Sequence, residues 1–209
     1  MAGEMVYVVM INGEQTTKVI PEENKKKPEG PTALDRVGDL VKDHATTVVA
    51  EQAAHAAASA AMPLANVMLL ANPALGMVAQ LALASKSIDP DKSMAVMTPD
   101  NAGVRKSTLD RCEQAFGASG SDVAYPTAGG QAGYPVYLSP EARTKLDDMP
   151  DGDLLEAVKG DNSLTKTAVE CRDVGIYMDL GSPEERREKQ RERSLGDDDF
   201  SLERQPPSA

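Results

Sequence analysis

The sequence predicts a mainly α protein: a helical core, a small N-terminal β-hairpin and a disordered acidic C-terminal tail. Three observations lead there. Aromatic residues make up 3% of the 209, with no Trp and with Phe116 and Phe200 as the two phenylalanines. Ala, Leu, Val and the 10 Met must therefore fill the core, and Ala is the strongest helix former. From Ala53 to Ser85 the chain has no Asp, Glu, Lys or Arg and is dominated by Ala, Leu and Met. Ahead of that stretch, Leu34, Val37, Val41, Ala45 and Val48 recur at helical spacing.

Residues 1–20 read as the hairpin. Met5 to Ile11 is apolar and β-rich, Asn12-Gly13 is a strong two-residue turn signal, and Gln15 to Ile20 is the return strand. Residues 21–31 form a linker, with three prolines, a glycine and six charges that leave nothing to bury. A helical domain follows over residues 32–180. Thr32 caps its first helix, with Asp35 in the first turn, and that helix is expected to reach Met62. Pro63, Pro73 and Gly76 then divide the uncharged stretch into short helices.

Thr98-Pro99 is an N-cap followed by proline at the first helical position, predicting a helix to Phe116. Residues 117–137 are rich in Gly, Ala and Ser and are expected to be a loop. Ser139-Pro140 predicts a helix to about residue 148, Asp151 or Asp153 one ending at Gly160, and Ser163 one ending before Gly175. Residues 181–209 form a charged tail with no apolar periodicity, expected to be disordered.

Charge narrows the partners. The formal net charge is −11, and such a field repels phosphate backbones, so nucleic acid is not an expected partner. The basic triplet Lys25-Lys26-Lys27 is flanked by Glu22, Glu23 and Glu29 and reads as a solvated linker. The N-terminus lacks a basic region before its apolar run, so no Sec signal peptide is expected.

The catalytic patterns are weak. His44 and His55 lie eleven residues apart; on one helix they share a face but stand about 16 Å apart along the axis, too far for one ion. Lys106-Ser107-Thr108 looks like the end of a phosphate-binding loop, but Arg105 and Asp100 stand where that loop needs glycines. Gly129-Gly130-Gln131-Ala132-Gly133 reads as a flexible loop. Cys112 and Cys171 lack any CxxC or Cys/His spacing and read as buried thiols. No catalytic residue, cofactor or metal ligand is therefore assigned.

The function expected from these features is non-enzymatic: a structural or assembly protein, of the kind found in a viral particle or secretion apparatus, self-associating through Ala-rich helices. The expected interface is Ala53, Ala57 and Ala61, spaced for close helix approach, with Leu64, Met68, Leu75 and Leu81. Two other classes stay open. One is a secreted or injected protein inserting residues 62–84 into a membrane, a length close to the roughly 20 residues a bilayer needs. The other is a small enzyme using Cys112.

Overall fold

The structure is a computed structural model that describes residues 4–11, 32–69 and 74–177. In chain order the elements are β1 (Met5–Ile11), α1 (Ala33–Val41), β2 (Ala45–Ala50), α2 (His55–Ala61), β3 (Asn66–Leu69), α3 (Met77–Ser85), β4 (Ser93–Met97), α4 (Lys106–Ser119), β5 (Val123–Ala128), β6 (Gln131–Ala132), β7 (Val136–Leu138), α5 (Pro140–Thr144), α6 (Leu154–Gly160) and β8 (Lys166–Glu170).

A run such as MVYVVMI, apolar at every position, suits a strand buried on both faces better than a hairpin with one wet face. That is its setting. β1 lies between β2 and β4, parallel to both, with Val8 opposite Thr47 on one side and Val96 on the other. The sheet runs β3-β2-β1-β4-β7-β5-β6, with β8 added beside β5. β3, β2, β1 and β4 are mutually parallel, while β7 runs antiparallel to β4 and β5. Helices cover both faces. Tyr7, Val9 and Ile11 meet α1 (Leu34, Val37, Val41), α2 (Ala58) and α4 (Leu109, Cys112, Phe116). Val6, Val8 and Met10 meet α3 (Val78, Leu81), α5 (Ala142) and α6 (Leu154, Val158).

This three-layer α/β architecture corrects the mainly α expectation. The single helix over 32–62 does not exist: α1 ends at Val41, and Thr46-Thr47-Val48-Val49 lies in β2. Four consecutive β-branched residues are stiff at χ1 and pack well on a pleated surface, so they outweigh the helical spacing of Ala45 and Val48. Beyond Met62, Asn66–Leu69 is a strand rather than part of a short helix. The expected loop at 117–137 holds β5, β6 and β7. Its glycines are structural: Gly129 and Gly130 sit at φ 57° and 80°, the two positive angles that a tight turn between twisted strands requires. The helix expected from Ser163 is β8.

The N-terminal strand stands, but its partners are parallel strands from later in the chain. The turn at Asn12-Gly13, the return strand, the linker at 21–31 and the tail at 181–209 lie outside the described residues. The caps at Thr32, Ser139 and Asp153 form as the sequence indicates, each side chain accepting from a backbone N–H in the first turn. Among the described residues, no helix is long and apolar enough to cross a membrane.

Three polar side chains fasten the layers. Asp151 accepts from the N–H groups of Gly76 (2.9 Å) and Ala79 (3.3 Å), so a carboxylate from a distant loop caps α3. Those backbone donors hold its pKa below the ordinary carboxylate value. Buried Asp173 accepts from the N–H of Arg105 (2.8 Å), the hydroxyl of Thr108 (2.6 Å) and the N–H of Gly175 (3.0 Å), closing the N-terminus of α4. Buried Arg143 spends its guanidinium on the turn from α3 to β4. It donates to the carbonyls of Ser85 (2.7 Å), Ile88 (3.1 Å), Asp89 (2.9 Å) and Lys92, and to the Ser85 hydroxyl (3.1 Å).

Replacing either buried group strands several partners at once. Arg143→Ala is expected to lower the unfolding free energy by about 4 kcal/mol, read from urea titration. Asp173→Ala should cost about 3 kcal/mol in the same measurement, because three donors lose one charged acceptor.

Candidate functional site

In an open α/β sheet, ligands bind outside the carboxyl ends of the strands, where the strand order reverses. Here the chain moves outward from β1 to β2 to β3, then returns to place β4 on the other side of β1. The reversal lies between β1 and β4, and the residues leaving β4 are Thr98-Pro99-Asp100-Asn101. Thr98, Asp100 and Asn101 line a cleft with about 310 Å³ of solvent space, together with Met77, Ala132, Gly133, Tyr134, Asp153, Leu155, Ile176 and Tyr177.

Pro99–Asn101 is a single 3-10 turn. Thr98 fixes its start: both the N–H and the hydroxyl of Thr98 donate to Asn101 Oδ1, at 3.2 and 2.9 Å. The turn leaves Asp100 half-exposed on the cleft wall. Asn101 is buried and donates from Nδ2 to the carbonyl of Ile176 (3.3 Å). The same carbonyl accepts from the N–H of Tyr134 (2.8 Å). Three segments distant in sequence thus meet at one oxygen, and Asp173, three residues before it, anchors that segment to α4.

The opposite wall is built on α6. Asp153 accepts at Oδ1 from the N–H of Glu156 (3.0 Å) and at Oδ2 from the hydroxyl of Tyr134 (3.0 Å). Burial first, and then the Asp153 charge, hold the Tyr134 hydroxyl well above its ordinary pKa, so it stays a donor at neutral pH. Met77, Leu155 and Ile176 supply the apolar surface. The lining carries two carboxylates and, among the described residues, no Lys or Arg. Also among the described residues, no three His, Cys, Asp or Glu side chains gather into a metal cluster.

The residues singled out from the sequence lie elsewhere. His44 precedes β2 and rests on the Tyr7 ring, centroids 4.6 Å apart, while His55 opens α2, so the two are not on one helix. Lys106, Ser107 and Thr108 form the first turn of α4, whose N-terminus Asp173 already occupies. Cys112 is buried in α4 and absent from the cleft; burial pushes its thiol up to about 12, which keeps it protonated at neutral pH. The expected interface residues do not share a face. Ala53 is exposed, Ala57 and Ala61 pack over one side of the sheet, and Met68 and Leu81 belong to the other. Leu75 is half-buried and Leu64 is 94% exposed.

Thr98, Asp100, Asn101, Tyr134 and Asp153 were not legible as a site in the sequence. The available signal was the run Ser93 to Met97 followed by Thr-Pro-Asp-Asn. Read as a strand, it places Asp100 at a carboxyl end, the position that matters in this architecture.

Known proteins agree with this geometry. The chain shares its fold with Rv0371c from Mycobacterium tuberculosis H37Rv (TM-score 0.66, 19% identity, covering 90% of this chain and 97% of that one). It also resembles molybdopterin-guanine dinucleotide biosynthesis protein A from Archaeoglobus fulgidus (TM-score 0.60, 14% identity, 91% and 99% covered). A third likeness is to 4-diphosphocytidyl-2C-methyl-D-erythritol synthase from Anaerococcus prevotii (TM-score 0.67, 8% identity, 88% and 92% covered). No curated protein matches the sequence. A family model does: the MobA-like NTP transferase domain, over residues 27–169.

That match overturns the non-enzymatic assembly reading. It points to an enzyme built on an α/β sheet, where the sequence had suggested a helical scaffold. With most of its length inside that model, the chain belongs to the family of MobA-like NTP transferase domains.

Proposed function

We propose that this protein is a nucleotidyltransferase, moving a nucleoside monophosphate unit from a nucleoside triphosphate to an acceptor in the cleft beyond β4. An acceptor oxygen forms a bond to the α-phosphorus, the bond from that phosphorus to the β-bridging oxygen breaks, and pyrophosphate leaves. The acceptor's proton passes to solvent. The family supports the reaction type, and the position of Asp100 at the carboxyl end of β4 carries the assignment to this site.

The donor set suits a hard divalent cation. Magnesium and manganese take one or two carboxylates and complete their shells with phosphate oxygens and water. Asp100 would be the first ligand, since it stands half-exposed on the cleft wall just beyond the carboxyl end of β4. One of the fold relatives, Rv0371c, has a structure in complex with manganese. When bound, such a cation supplies positive charge to the triphosphate. This lining needs it, because two carboxylates and, among the described residues, no basic side chain would otherwise repel the substrate.

The protein's own residues then divide the work. The Thr98–Asn101 bonds orient the turn that aims Asp100. The Asn101–Ile176–Tyr134 contact keeps the two walls at a fixed separation. Met77, Leu155 and Ile176 exclude water from the body of the acceptor.

A nucleoside triphosphate with MgCl2 or MnCl2, at about 100 times its dissociation constant, should raise the melting temperature by about 8 °C. Nucleotide or metal alone should shift it far less. Asp100→Asn should remove most of the metal-dependent part, read against the unliganded melt of the same variant. Failure of all four common triphosphates to shift the melt with either metal would refute the reading.

A further inference from the structure

The core beneath α4 holds two sulfurs to which the cleft gives no role. From Ala168 to Asp173 burial alternates strictly, with Val169, Cys171 and Asp173 inside and Ala168, Glu170 and Arg172 outside. Strand-like backbone therefore continues past β8, and the N–H of Cys171 still bonds to the Thr127 carbonyl of β5 at 2.8 Å. The three inward side chains share one face. Opposite lies α4, whose buried face is Thr108, Leu109, Cys112 and Phe116.

One hydrogen bond sets the register between the two faces. The Thr108 hydroxyl donates to Asp173 at 2.6 Å, so the start of α4 stands beside the end of this strand. Four residues further along the helix is a step of about 6 Å, and two residues back along the strand is about 6.6 Å. The matched steps carry Thr108 to Cys112 and Asp173 to Cys171. The next pair is Phe116 and Val169, which lie in the same core as both cysteines. The electrostatics agree: burial first, and then the neighbouring Cys171, raises the Cys112 thiol. Both cysteines are free thiols here, Cys112 0% and Cys171 6% exposed.

We propose that Cys112 and Cys171 are an oxidisable pair, which a peroxide joins into one disulfide between α4 and the strand beyond β8. Cys171 reacts first, being the more accessible of the two. Its sulfur, as the thiolate, attacks one peroxide oxygen; the O–O bond breaks and water leaves with the thiol proton. The Cys112 sulfur then bonds to Cys171 and displaces the sulfenic hydroxyl, which leaves as water with the Cys112 proton. Two thiols lose two electrons in all, and one peroxide becomes two waters. The bridge lies close in the chain to Asp173 and to Ile176, whose carbonyl joins Asn101 to Tyr134. It thereby ties one wall of the cleft to α4 covalently. The pairing is independent of the nucleotidyl-transfer reading.

Peptide mapping of the full chain tests it, after overnight treatment with millimolar hydrogen peroxide and alkylation of the remaining thiols. A cross-linked peptide pair holding Cys112 and Cys171 is the expected product. The bond closes a loop of about 60 residues, so the oxidised chain should melt about 10 °C higher, and dithiothreitol should reverse the rise. The amides of residues 171–177 and of Tyr134 should exchange more slowly. Cys112→Ala and Cys171→Ala, each read against its own untreated melt, should show no such rise. Methionine oxidation is common to all three proteins and is not reversed by dithiothreitol, so it does not imitate the effect. Thiols that stay free, or that reach sulfinic acid without a cross-link, overturn the pairing. A cross-link that leaves melt and exchange unchanged overturns the tie to the cleft wall.

Discussion

β1 sits where every layer of this protein meets. Its side chains alternate between two helical layers, and its backbone bonds to parallel strands on both sides. A parallel pair needs a crossover connection, so β1 can be satisfied only by chain that arrives much later. β2 comes after α1, and β4 comes after three more elements. Burying one strand from all four directions therefore forces the βα alternation. The alternation in turn creates the strand reversal between β1 and β4, beside which the cleft opens.

The cleft is held by polar groups that are themselves buried. Asn101 and the N–H of Tyr134 share the Ile176 carbonyl, and Asp173 ties the same segment to α4. Unmet donors or acceptors at such depth would be costly, so each contact admits few alternatives. The walls consequently come from the start of α3, the β4 exit, the β6–β7 connection, α6 and the segment beyond β8, five separate stretches of the chain. Hydrogen bonds between layers, rather than one rigid element, set the spacing that a substrate would meet.

The lack of charge from residue 53 to 85 acquires a different meaning in this fold. Part of it is core: Val78 and Leu81 are carried by α3 against the sheet. Part of it is edge, with β3 and Leu64 reaching solvent. An uncharged run that drew attention as a helix or a membrane segment is here divided among a helix, a strand and another helix on two faces of one sheet.

What the sequence determined by itself was local: the strand at Met5–Ile11, the caps at Thr32, Ser139 and Asp153, and the buried thiols of Cys112 and Cys171. These depend on neighbours within a few residues, which one chain read in order displays. The β-branched run at Thr46–Val49 carried a strand signal too, but alanines on either side gave it helical company. Tertiary structure decided the rest. A strand buried on both faces has no alternation to reveal it, so β4 and the end at which Asp100 emerges were hidden among apolar residues. Asp100, Tyr134 and Asp153 each have an ordinary local reason to be where they are, and only long-range pairing around β1 brings them to one cleft.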